Sequence, residues 1–190
     1  MMMKYLEAVG QALQESEWTI KGKAVEPDVG FAKLAECLKR RQEDSPVPQS
    51  KIMFVGNGGS AAIAEHMATD YTKAGRMRAQ AFNSGSLLTC LANDYSFEEV
   101  FSRAVKMYAD ENDILVVISS SGRSRNVLRA AEAGQERCCV VTLSGFHQDN
   151  PLRQLGYYNI YVPSLRYGTV EIAHYMILHA LLDHIAGDRV

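Results

Sequence analysis

The run Ile114-Leu115-Val116-Val117-Ile118 is apolar at every position, which suits a strand buried on both faces and not one with a wetted side. Ile52-Met53-Phe54-Val55 and Cys139-Val140-Val141 read the same way. Strand and helix signals alternate around them: strand at 51–55, helix at 60–71, strand at 78–82, helix at 86–91 and 97–109, strand at 113–118, helix at 124–133, strands at 138–143 and 159–162, helix at 169–185. Parallel strands need crossover helices, so this alternation predicts an α/β fold with a parallel sheet covered on both faces. Ahead of it, Leu6, Val9 and Leu13, then Phe31, Leu34, Ala35 and Leu38, have the spacing of two amphipathic helices. The expected organisation is one domain over 1–190, with a helical extension at 1–45 and an α/β core at 50–187. A chain of 190 residues suffices for one well-buried domain.

Two loops of similar chemistry follow two of these strands. Gly56-Asn57-Gly58-Gly59-Ser60 lies behind the first, and Ser119-Ser120-Ser121-Gly122-Arg123-Ser124 behind the third. In open parallel sheets ligands bind beyond the carboxyl ends of the strands. A loop there that opens into a helix presents unpaired backbone N–H groups at the positive end of the helix dipole. Glycine lets that backbone come close, and four serine hydroxyls in the second loop add donors for the oxygens of a phosphate monoester. The expected guest is a phosphorylated sugar.

Net charge is −2, with 20 basic and 22 acidic residues intermixed, so the broad basic face needed for nucleic acid or an anionic membrane is missing. Glu7 stands close to the start, and no run of about 18 apolar residues occurs, so neither a leader nor a membrane span is expected and the reading is cytoplasmic. Cys37, Cys90, Cys138 and Cys139 lack zinc-cluster spacing and are read as buried thiols. Segments 45–50 and 145–151 read as connections.

His66 and Asp70 are four apart, hence one helical turn apart on one face. Glu171 and His179 are eight apart, about 80° around the axis and ~12 Å along it. Two imidazoles and two carboxylates are a plausible first shell for a zinc-type cation, if the second pair leans together. An ordinary helix-face ion pair is the plainer alternative for His66 and Asp70. His174 and His184 are read as structural. Asn93-Asp94 is either a turn or a pair of partners for sugar hydroxyls, and Arg123 and Arg125 are candidates to strengthen anion binding.

Gly56-Asn57-Gly58-Gly59-Ser60-Ala61-Ala62 with His66-Met67-Ala68, Ala92-Asn93-Asp94, Phe101-Ser102-Arg103, Ile118-Ser119-Ser120-Ser121-Gly122-Arg123-Ser124 and Val141-Thr142-Leu143-Ser144-Gly145 together resemble the sugar isomerase (SIS) domain family, and within it the phosphoheptose isomerases. The resemblance runs in order from about residue 50 to about 185. It implies a three-layer αβα sandwich around a five-stranded, flavodoxin-like parallel sheet, a homotetramer with sites at subunit interfaces, and one Zn²⁺ per site. It also implies conversion of D-sedoheptulose 7-phosphate to D-glycero-D-manno-heptose 7-phosphate for a surface glycan such as lipopolysaccharide. Carried over by position, Asn57, Gly58, Gly59, Ser60, Asn93, Asp94, Ser119, Ser120, Ser121, Ser124 and Glu171 bind substrate. His66, Asp70, Glu171 and His179 hold the metal, with Asp70 and His179 as the acid–base pair. A non-catalytic phosphosugar sensor on the same domain, or an isomerase of another phosphosugar, are the competing readings.

Three positions depart from the family pattern: Asp70 for glutamate, Glu171 for glutamine and Arg123 for asparagine. Asp70 retracts its carboxylate by ~1.5 Å, and misplacement by ~1 Å can cost ~100-fold in rate. Glu171 adds a negative charge that favours a divalent cation, and Arg123 adds a positive one beside the serine loop.

Overall fold

The computed structural model describes residues 1–42 and 50–187. Its strands are β1 (Glu17–Ile20), β2 (Lys23–Val25), β3 (Lys51–Gly56), β4 (Arg78–Ala81), β5 (Ile114–Ser119), β6 (Cys139–Gly145) and β7 (Tyr158–Val162), joined in one sheet in the order β2-β1-β7-β6-β5-β3-β4. From β4 to β7 every pairing is parallel, as the alternating sequence pattern requires. The helices are α1 (Met2–Gln14), α2 (Pro27–Lys39), α3 (Gly59–Lys73), α4 (Gly85–Asp94), α5 (Val100–Tyr108), α6 (Arg125–Gln135) and α7 (Tyr167–Ala186).

Alternate side chains of each central strand enter opposite cores, because successive residues of a strand point to opposite faces. Ile52, Phe54, Ile114, Val116 and Ile118 pack with Ala12, Leu34, Ile63, Met67, Val170 and Leu178, under α1, α2, α3 and α7. Met53, Val55, Leu115 and Val117 pack with Leu91, Phe101, Val105, Val127 and Ala130, under α4, α5 and α6. The result is the expected three-layer sandwich.

The N-terminal region departs from expectation. Between the two predicted helices lies the hairpin of β1 and β2, which extends the five parallel strands to seven by pairing β1 antiparallel to β7. The turn is Lys21-Gly22, both at positive φ (50° and 72°), the conformation that suits the twist of a two-residue hairpin. Trp18-Thr19-Ile20 before it carries aromatic and β-branched residues, a strand signal outweighed by the helical spacing on either side. Trp18 then fills the core at 5% exposure. The connection expected at 45–50 falls, apart from Ser50, outside the described residues.

The cysteines also differ from expectation: Cys90 is exposed, and Cys37, Cys138 and Cys139 are half-buried. Among the described residues no helix is long and apolar enough to cross a membrane.

Two features of the fold position the site. Gly56 pairs with Ile118 and Ser119 with Ser144, so β3, β5 and β6 end level with one another and release their loops at one edge. The chain runs from β3 outward to β4, then returns to place β5 on the other side of β3, so the two loops flank the point where strand order reverses. α3 and α7 run side by side in the same direction: the Tyr71 hydroxyl donates to the Leu178 carbonyl at 3.0 Å, and Gly75 approaches Leu182.

Candidate active site

The two loops meet in a cleft of about 240 Å³, lined by Asn57, Gly58, Gly59 and Ser60 from the first, Ser119, Ser120, Ser121 and Ser124 from the second, and Tyr167 and Glu171 from the start of α7. Within the serine loop, Ser119 Oγ accepts from the Gly122 N–H (3.2 Å) and Ser121 Oγ from the Arg123 N–H (3.3 Å), which curls the backbone around itself. Ser120 Oγ is buried and has no hydrogen-bond partner among the described residues. A buried hydroxyl left unpaired costs about 1–3 kcal/mol, a cost a ligand oxygen removes. Ser124 is the N-cap of α6, yet its hydroxyl makes no bond to the helix amides.

The loops are tied together by twin amides. Asn57 Nδ2 donates to Asn126 Oδ1 (2.9 Å) and Asn126 Nδ2 returns a bond to Asn57 Oδ1 (3.0 Å). Asn126, 3% exposed, also accepts the Val127 N–H on Oδ1. The side chain assigned to substrate by sequence thus spends much of its capacity holding its own loop.

At Gly59 the start of α3 meets the Glu171 side chain of α7. A Cβ there would stand 2.5 Å from a Glu171 carboxylate oxygen, so any side chain at this position would push that acid from its place against the first loop. Behind the cleft, His174 is fully buried with Nε2 donating to the Ser144 carbonyl at 3.1 Å, and burial pushes its pKa down to about 4. It is a neutral prop for the end of β6, the structural role expected of it. His184 packs edge-on against Phe31.

Two turns along the same helices a second group forms. His66 Nε2 lies 2.9 Å from Asp70 Oδ2, and the His66 and His179 rings are 5.6 Å apart. Ligating atoms of His66, Asp70 and His179 all fall within 4.8 Å of one another. Two imidazoles and a carboxylate at this spacing fit a catalytic zinc site, which takes three protein ligands and keeps a position open. Tyr175, four residues before His179, packs its ring on both histidines at 5.3 and 4.5 Å and limits their motion.

Glu171 does not join this group: its carboxylate stands at Gly59, in the loop cleft, so the four-ligand set expected from sequence is a set of three within one chain. The cause is helical pitch, since eight residues carry Glu171 ~12 Å from His179. Asn93 and Asp94 end α4, exposed and bonded to each other at 3.0 Å, and are not among the residues that line the cleft. Arg123 and Arg125 turn away from the serine loop to ion pairs with Asp149 (2.8 Å) and Glu98 (3.2 Å). The Arg123 pairing holds the Asp149 carboxyl below its usual range. Neither arginine strengthens the anion site. Sequence reasoning passed over Tyr167, Tyr175 and Asn126; the first two sit four residues before Glu171 and His179, a spacing that marks a shared helix face.

The SIS domain sequence pattern matches residues 31–145. The chain is 38% identical over 144 residues to the phosphoheptose isomerase of Helicobacter pylori (strain HPAG1), covering 72% of this chain and 74% of that one. It is 32% identical over 185 residues to that of Geobacter sulfurreducens, covering 94% and 92%. The solved structure of phosphoheptose isomerase GmhA from Neisseria gonorrhoeae superposes with a TM-score of 0.78 at 30% identity, covering 97% of this chain and 94% of that one. With two loops at one sheet edge and this likeness over nearly the whole length, the chain belongs to the SIS domain family, on its phosphoheptose isomerase branch.

Proposed function

We propose that the protein is an aldose–ketose isomerase that interconverts D-sedoheptulose 7-phosphate and D-glycero-D-manno-heptose 7-phosphate. The observation that carries this is the placement of two chemically different groups on one helix pair. Gly59 and His66 are seven residues apart on α3, within about 20° around the axis and ~10 Å along it. An extended heptose phosphate bridges that span, and a triose phosphate does not. The relatives' names support the same substrate class.

Isomerisation moves a proton between neighbouring carbons through an enediol, and needs a base, an acid and a stabiliser of developing charge. The serine hydroxyls and the α6 amides hold the phosphoryl group, and this remote grip orients the reacting carbons. Glu171, an acceptor only, takes hydrogen bonds from sugar hydroxyls on the way. Asp70 Oδ2 is held by His66, which leaves Oδ1 to take the proton from one carbon and return it to the next. His179 donates to the carbonyl oxygen. His66, Asp70 and His179 would also hold a zinc ion, which when bound supplies Lewis-acid polarisation of that oxygen in place of the His179 proton and leaves Asp70 Oδ1 free as the base.

The active form in this reading is a homotetramer in the cytoplasm whose product feeds a surface glycan such as lipopolysaccharide. Exposed Ile172 and Met176, one turn apart on α7, together with Met2, Met3 and Leu6 on α1, support burial against further subunits. Apposed protomers would complete the open side of the cleft.

The test is NMR of sedoheptulose 7-phosphate with the protein, beside a panel of shorter ketose phosphates and a chelator-treated sample given back zinc. The expected result is appearance of aldose signals from the heptose alone, lost on chelation and restored by the metal. Ligand broadening with no aldose would make the protein a sensor, and turnover of a shorter sugar would shift the substrate.

A further inference from the structure

A second cleft, of about 480 Å³, opens where α2 meets the beginning of β6, at the sheet edge opposite the serine loop. Cys37 of α2 and Cys139 of β6 both line it, close enough for each thiol to act on the other's proton. Arg41 Nη1 lies 3.7 Å from Cys37 Sγ while donating to the Cys37 carbonyl at 2.7 Å, and its Nε donates to the Asn112 carbonyl at 3.0 Å, so the guanidinium is clamped beside the sulfur. Lys33 and Tyr158 complete the wall. Both sulfurs are half-buried, within reach of a small solute.

The pair shares its proton unequally. The hydrogen bond from Cys139 pulls Cys37 below the usual thiol range, the Arg41 charge adds to this, and burial opposes it. Cys139 moves the other way and keeps its proton. The remaining cysteines lack such help: Cys90 faces the Asp94 carboxylate at 3.6 Å and is raised, and burial pushes Cys138 up to about 12. Thiolate character decides which cysteine reacts with an oxidant, so the half-buried Cys37 outranks the fully exposed Cys90.

We propose that Cys37 and Cys139 form a redox-modifiable dithiol, in which Cys37 reacts with a small hydroperoxide and Cys139 resolves the product as a disulfide stapling α2 to β6. The Cys37 thiolate attacks the peroxide oxygen. The O–O bond breaks, an S–O bond forms, and the departing alkoxide or hydroxide takes a proton from water, leaving Cys37 as a sulfenic acid. The Cys139 thiol then attacks that sulfur, the S–O bond breaks as the S–S bond forms, and hydroxide leaves with the thiol's proton as water. The peroxide is reduced by two electrons that the two sulfurs supply. The chemistry lies away from the sugar cleft and does not rest on the isomerase reading.

The experiment is limiting hydrogen peroxide on the whole protein, then alkylation, digestion and peptide mass spectrometry, with Cys139→Ser run in parallel with dimedone. The expected results are a Cys37–Cys139 linked peptide lighter by two hydrogens in the natural chain, a dimedone adduct on Cys37 in the variant, and iodoacetamide labelling of Cys37 at neutral pH about tenfold or more faster than of Cys90. Cys37 oxidised without a link in the natural chain would overturn the resolving role of Cys139. Cys90 reacting first, with Cys37 untouched, would overturn the proposal; this map is made on the natural chain, so it stands even if the variant fails to fold.

Discussion

At their N-terminal ends α3 and α7 border a cleft made of backbone amides and serine hydroxyls, on loops whose course the sheet has already set; two turns further along, His66, Asp70 and His179 build a group from side chains alone. Ser119 and Ser120 are 6% and 4% exposed, whereas the His66 side chain is 52% exposed and leans on Tyr175 and His179 for its orientation. The first group is preorganised by the same hydrogen bonds that close the fold, and each donor carries a share of the grip. The second has only three side chains, none with a substitute. A loss in the first should therefore weaken binding by a fraction, and a loss in the second should remove a step.

The sharpest way to break this contrast is His179→Ala. Turnover should fall by about a thousand-fold, the range lost with a general acid, while phosphosugar affinity stays within a few-fold; kcat and a separate binding isotherm check it. Retained kcat would place the acid elsewhere.

The cleft's own weak point is its neutral backing. His174 has a folded pKa of about 4 against 6.5 when exposed, so between those values the unfolded chain binds a proton that the folded chain refuses. Stability is complete above about pH 6.5 and falls as pH drops toward 4, by roughly 3 kcal/mol from this group. Urea midpoints across that range should show the slope, and His174→Gln should flatten it.

Ser120→Ala removes one donor from the cradle. KM should rise about tenfold, the scale of one hydrogen bond to a charged group, with kcat nearly unchanged. Because Ser120 Oγ has no partner among the described residues, the melting temperature should hold or rise slightly. A lower melting temperature would mean that the hydroxyl serves the fold. The smallest effect belongs to Arg123→Ala: its ion pair with Asp149 is solvent-exposed, so KM should move by no more than about twofold. A tenfold rise would return Arg123 to the phosphate.

Both groups were legible in sequence to different depths. Glycine and serine behind an apolar run name a loop and its donors at once, since the backbone does the work and neighbours in sequence are neighbours in space. His66 and Asp70, one turn apart, were legible for the same reason. Glu171 was not. Whether it turns toward His179 or toward Gly59 depends on how α7 lies against α3, and that contact is set by Tyr71, Leu178, Gly75 and Leu182, none of them next to Glu171 in sequence. Arg123 likewise read as a cation for the serine loop because Asp149, 26 residues on, could not be seen as its partner.

The alternation of apolar runs with helical spacing was enough to determine the parallel sheet, the covering of both its faces and the edge where the glycine and serine loops open, because strand and helix periodicity are local properties of the chain. The N-terminal hairpin, the company Glu171 keeps, the twin amides of Asn57 and Asn126, and the meeting of Cys37 with Cys139 were decided only by the tertiary structure. Each is a contact between segments far apart in sequence, and such contacts are selected by how whole faces pack, which no local pattern encodes.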